Sequence, residues 1–134
     1  MVNSKLFLLK ELPVLFIKIE RGFGSFLTFT TKNKSFLWVY LSDWIIYKNK
    51  IKILDCENDY DYSNVLNYMK GELLIKIKEN TINKRIDFIF TGGYKLSLSP
   101  NTEIYDIEDN LFMFFTKNKI ISYSINKGFY SEKG

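Results

Sequence analysis

The sequence predicts a mainly β (α+β) fold: a curved antiparallel sheet or half-barrel with one or two short helices, built as a single domain over residues 1–134. Three observations lead there. Leu73, Ile75 and Ile77 interleave with Leu74, Lys76 and Lys78, the alternation of a strand with one apolar and one charged face. Glycine- and asparagine-centred turns separate apolar runs along most of the chain. Aromatic residues make up 17% of the sequence (12 Phe, 9 Tyr, 2 Trp), a supply of bulky, β-favouring side chains that suits a sheet-built core. A chain of 134 residues hides roughly two-thirds of its unfolded surface, enough for one core.

In chain order, residues 4–12 come first, where Leu6-Phe7-Leu8-Leu9 fits either a helix or a buried strand. Strands are expected at 14–20, 25–31, 35–41, 44–48 and 51–54, then at 72–78, 85–91, 94–99, 111–116 and 119–125. Four tight turns make hairpins of them. Lys32-Asn33-Lys34, Lys48-Asn49-Lys50 and Lys117-Asn118 rely on asparagine, which tolerates the left-handed region; Thr91-Gly92-Gly93 relies on glycine. The helix candidate runs from Ser63 as N-cap through Val65, Leu66 and Met69, on one face, to a stop at Gly71. The core is assigned to Phe88, Phe90, Leu96, Leu98, Phe112, Phe114 and their neighbours. Pro13 and Pro100 lie far apart, and no linker, repeat or low-complexity tract divides the chain.

Composition excludes several classes of function. Lys10 and Glu11 interrupt the first apolar run, so a secretory signal is not expected, and runs such as Phe36-Leu37-Trp38-Val39-Tyr40-Leu41 fall short of the roughly 18 residues that span a bilayer. Cys56 stands alone, which rules out an internal disulfide and leaves no Cys/His set for structural zinc. A cytoplasmic protein without membrane contact is expected. There is no histidine, the usual general base and the usual partner of a Ser or Cys nucleophile. Cys56 precedes an acidic run that weakens it as a nucleophile. Gly22-Phe23-Gly24 and Gly92-Gly93 lack the spacing and the following Lys-Ser/Thr of phosphate loops. The alternating acids after Leu54 lack the central glycine and terminal glutamate of a calcium loop. The chain is therefore read as a non-enzyme with no cofactor and no metal.

Charge is the most informative feature. Eight of the 15 acidic residues fall into two clusters, Asp55, Glu57, Asp59 and Asp61, then Glu103, Asp106, Glu108 and Asp109, which leaves a basic body carrying 19 Lys and Arg. Tyr60, Tyr62 and Tyr105 sit inside the clusters, and tyrosine beside carboxylates offers a rigid anchor within a surface complementary to a basic partner. These eleven residues are the candidate partner-binding set; solvated loops that keep an aromatic-rich chain soluble are the plain alternative. A nucleic-acid-binding β module is the second functional reading, since the pI is near 9.0. It is disfavoured because only Arg21 and Arg85 can make bidentate contacts and the lysines follow turns and alternating strand positions.

From Ser42 to Pro100 the order of features is distinctive: Ser42-Asp43-Trp44 opening a strand, a lysine turn, an acidic loop, a helix ending in Leu66-Asn67-Tyr68-Met69-Lys70-Gly71, then Ile75-Lys76-Ile77-Lys78. Ile86-Asp87-Phe88-Ile89-Phe90, the Gly92-Gly93 turn and Tyr94-Lys95-Leu96-Ser97-Leu98-Ser99-Pro100 follow, then an acidic loop and an aromatic hairpin. This order resembles the small immunity proteins encoded beside polymorphic or contact-dependent growth-inhibition toxins. The resemblance covers a little under half of the chain and departs from the pattern where Leu111-Phe112 replaces an expected tryptophan. It implies a bacterial immunity protein that occludes the active site of one cognate toxin domain, such as a nuclease with a basic cleft, through a tight, non-catalytic contact.

Overall fold

The computed structural model describes residues 4–21, 26–33, 35–57 and 63–133. Short turns between apolar segments set the architecture, because each reverses the chain and lets neighbouring segments pair antiparallel. Among the described residues eleven strands result: β1 (Val14–Arg21), β2 (Leu27–Thr31), β3 (Phe36–Val39), β4 (Asp43–Lys48), β5 (Ile51–Asp55), β6 (Leu73–Asn80), β7 (Arg85–Phe90), β8 (Tyr94–Ser99), β9 (Asn110–Phe115), β10 (Lys119–Ser124) and β11 (Gly128–Lys133). All join one antiparallel sheet in the order β11-β10-β9-β3-β2-β1-β6-β7-β8-β4-β5, which is curved and does not close into a barrel. The described residues also form two α-helices, α1 (Ser4–Lys10) and α2 (Ser63–Met69), so the N-terminal segment takes the helical alternative. No described helix is long and apolar enough to cross a membrane.

The four expected hairpins are present as β2–β3, β4–β5, β7–β8 and β9–β10. Asn49 and Lys50 take positive φ in the second of them, and Gly92 and Gly93 do so in the third. Glycine is required at 93: at φ +81° its amide oxygen accepts from Asn49 N (2.9 Å), and a Cβ there would run into the Asn49 side chain. Helix α2 ends at Gly71, φ +95°, as the sequence indicates.

The sheet folds into two facing halves, and β1 is the join. Its later residues pair with β2, whereas only Val14↔Leu74 and Leu15↔Leu73 tie it to β6. A bulge lies on each side of the join, between Phe16 and Lys18 in β1 and between Leu74 and Lys76 in β6. An extra residue on one strand bends it and sharpens its twist, which turns one half over the other. The bulge also corrects the expected faces of β6. Leu74 and Ile77 are buried while Leu73 and Ile75 are exposed, because one inserted residue exchanges the two sides of a strand. Helix α2 packs along β1, and α1 packs across β10 and β11.

The core lies between the halves. Phe88, Phe90, Leu96, Leu98, Phe112 and Phe114 are all buried, as assigned from the sequence. Phe88 meets Phe112 edge to face (5.1 Å, 84°), and Phe90 lies beside Phe16 (6.2 Å) and Phe29 (6.1 Å), so rings from one half seat among rings of the other. One polar bridge crosses the same space: the Tyr123 hydroxyl donates to Glu79 Oε2 at 3.0 Å, with Lys5 Nζ 3.7 Å from Glu79 Oε1.

Candidate functional site

Strand pairing brings the two acidic segments to one end of the sheet. Asp43 opens β4 opposite Ser99, the last residue of β8, and Ile45 lies opposite Asp55, the last residue of β5. The chain therefore leaves β5 and β8 on either side of the start of β4. Asp43 holds both exits: its Oδ1 accepts from Cys56 Sγ at 3.9 Å and its Oδ2 from Asn101 Nδ2 at 3.1 Å. Arg21 adds a clasp from the other half, donating to the Cys56 carbonyl at 2.9 Å and lying over the Trp44 ring at 5.7 Å. Sequence reasoning did not single out Asp43, since its partners are 13 and 58 residues away.

Of the first cluster, the structure places Asp55 and Glu57; Asp59, Tyr60, Asp61 and Tyr62 lie outside the described residues. Asp55 is held locally, accepting from Glu57 N (2.9 Å) and pairing with Lys52 Nζ (3.0 Å). That hydrogen bond, with the Asp55 charge, raises the Lys52 pKa. Glu57 is exposed. Burial pushes the Cys56 thiol up, and the charges of Asp43, Asp55 and Glu57 act in the same direction, so the group stays a protonated thiol at neutral pH.

The second cluster forms an ordered loop. Asn101 O accepts from the amides of Ile104 and Tyr105, and Asp106 and Asp109 clamp one another: Asp106 N donates to Asp109 Oδ2 (2.8 Å), and Asp109 N to Asp106 O (3.1 Å). Asp106 Oδ1 also accepts from Glu108 N at 3.1 Å. Asp106 and Asp109 thus serve loop structure, as aspartates in tight turns commonly do. The loop rests on the β10–β11 turn, where Asn126 N donates to Ile107 O at 3.0 Å. Its outer surface carries the exposed Glu103 and Glu108 with Ile104, 68% exposed, and Ile107, 49% exposed; Tyr105 is half-buried. The two isoleucines escaped the sequence reading. Their signal is that large aliphatic residues stand within an acidic run where a merely solvated loop has no use for them.

Among the described residues, no three carboxylate or thiol groups cluster closely enough to hold a metal ion. A basic row crosses the outer face of the half that carries Asp43, where strand register aligns Lys52, Tyr47, Lys95, Ile89 and Lys76. Lys95 Nζ lies 4.7 Å from the centre of the Tyr47 ring. Comparison of the chain with protein-family models, curated proteins and solved structures finds no match.

Proposed function

We propose that the protein is a cytoplasmic immunity protein that binds a cognate bacterial toxin domain without catalysis and occludes its active site with the Asp43 end of the sheet. The observation that carries this reading is the convergence of both acidic exits on Asp43, beside a loop whose backbone is already hydrogen-bonded. A pre-ordered loop loses little conformational freedom on docking. Localised carboxylates steer it toward a basic cleft, where they take the place of substrate phosphates, while Ile104 and Ile107 supply the apolar contact that slows release. A net charge of +4 confines the complementarity to this end of the molecule.

The test is calorimetric titration against the toxin domain encoded by the neighbouring gene. Glu103→Lys with Glu108→Lys reverses two exposed charges without touching the Asp106–Asp109 clamp. It is expected to weaken binding by several kcal/mol, and surface changes of this kind usually move stability by no more than about 0.5 kcal/mol. Unchanged affinity, or no interaction with the neighbouring product, would sink the proposal. The row Lys52-Tyr47-Lys95-Ile89-Lys76 favours a second reading, a nucleic-acid-binding module. That reading requires micromolar binding to DNA or RNA near physiological salt, falling steeply with ionic strength and lost on Lys76→Gln with Lys95→Gln.

A further inference from the structure

The outer face of the half built from β11, β10, β9, β3, β2 and β1 carries an extended aromatic surface outside the core. Phe26, Tyr40, Trp38, Phe36 and Phe115 form a continuous ladder with ring centres 4.5 to 6.2 Å apart, and Trp38 is 37% exposed. The rings lie against one another, Phe36 on Phe115 at 4.5 Å and 24°, which holds the surface rigid.

The charge pattern identifies the occupant. Reading across the sheet, strand register aligns Glu132, Ile120, Phe115, Phe36, Thr30 and Lys18, a row that is acidic at one end, basic at the other and apolar in the middle. The neighbouring row has Trp38 and Met113 at its centre. It runs from Tyr130, whose ring carries Lys127 Nζ at 4.6 Å, to Glu20, so its polarity is opposite. Glu132, Lys127, Glu20 and Lys18 are all exposed. A two-fold axis lying in the face, parallel to the strands and between β3 and β9, sets each row against itself in reverse. Lys18 of one copy then faces Glu132 of the other, Glu20 faces Lys127 and Tyr130, and the Phe36–Trp38–Phe115 centres pack together. Such self-complementarity under a two-fold is what an isologous contact requires, and sheets pack face to face with strands nearly aligned.

We propose that this face is a dimer interface occupied by a second copy of the same chain, in a two-fold contact centred on Phe36, Trp38 and Phe115. This inference goes beyond the reading of the acidic end and does not depend on it. The rotation leaves the strand direction unchanged, so both acidic ends emerge on the same side of the dimer.

The experiment is sedimentation equilibrium of the full chain over about 1–100 μM, a range that brackets a micromolar dissociation constant. Wild type is expected to shift from monomer to dimer across it, and Trp38→Lys to remain monomeric with an unchanged circular dichroism spectrum. Lys18→Glu sets two carboxylates face to face and should weaken the dimer by about tenfold; adding Glu132→Lys to it should restore the wild-type constant. A chain that stays monomeric throughout overturns the proposal, as does a dimer indifferent to Trp38→Lys. Failure of the double reversal to restore association overturns the two-fold. If wild type is monomeric and Trp38→Lys abolishes its binding to the neighbouring gene's toxin domain, the face belongs to that partner.

Discussion

Phe88→Ala is expected to destabilise the fold by about 4 kcal/mol, within the range for deleting a buried phenylalanine and a large part of the 5–15 kcal/mol that holds a typical domain together. Phe88 is fully buried in β7 between Ile77 of β6 and Leu96 of β8, and its ring is the edge partner of Phe112 across the core. Truncation leaves a cavity at the seam, where neither half can relax into it without losing register with its own neighbours. Phe88→Leu keeps most of the volume and should lose about 1.5 kcal/mol. Chemical denaturation with fluorescence detection measures both. The double variant Phe88→Ala with Phe112→Ala should lose less than the sum of the single losses, since each deletion already removes the shared contact. A loss under about 1 kcal/mol for Phe88→Ala would mean that the halves are not packed through this pair.

Tyr123 makes stability depend on alkaline pH. Its side chain is fully buried beside Phe112 and Phe129, and burial, followed by the hydrogen bond and charge of Glu79, holds its pKa well above the ordinary tyrosine value of 10.0. The folded state therefore favours the protonated phenol. The contribution is complete below about pH 10. Above that the unfolded chain releases a proton that the folded chain keeps, and stability falls by up to about 1.4 kcal/mol per pH unit until the folded group titrates as well. Tyr123→Phe should remove this slope and, at neutral pH, lose roughly 1–2 kcal/mol because Glu79 loses a donor. Denaturation midpoints measured from pH 8 to 11 for the two proteins decide the matter, since the other tyrosines are common to both. Parallel curves would show that folding does not hold the Tyr123 phenol protonated, and coincident curves that the Tyr123–Glu79 bond contributes nothing either.

What the sequence made legible is what nearest neighbours determine. The Asn49 and Gly92-Gly93 turns, the Gly71 helix stop and the buried alternation of Phe88-Phe90 and Leu96-Leu98 are all local, and each stands where expected. Strand β11 was missed because most of its positions are half-exposed, so Phe129, Tyr130 and Ser131 show no alternation. The faces of β6 were misjudged because a bulge at Ile75 leaves no mark on a pattern of single residues. At the candidate site, acidity was visible but division of labour was not. Only the bonds single out Asp106 and Asp109 as the residues that hold the loop, since Asp106 is exposed like Glu103 and Glu108. The role of Asp43 depends on a contact 58 residues away in the chain.

The route of the chain has a kinetic consequence. It leaves one half after β3 and comes back at β9, where Tyr40 N donates to Leu111 O (2.9 Å) and Leu41 N to Asn110 O (3.0 Å), so residues 42–109 form an excursion whose ends meet. The half made of β4 to β8 is contiguous, whereas the other is assembled from the two terminal stretches. Closing a loop as long as that excursion loses more entropy while it is unfolded than once it is compact. The central half is therefore expected to form first and to carry the β3 and β9 ends together, so that β3–β9 pairing is a late event. Pulsed hydrogen exchange should protect the amides of Ile46, Phe88 and Leu96 before those of Leu37 and Phe112; simultaneous protection would mean that one nucleus spans both halves.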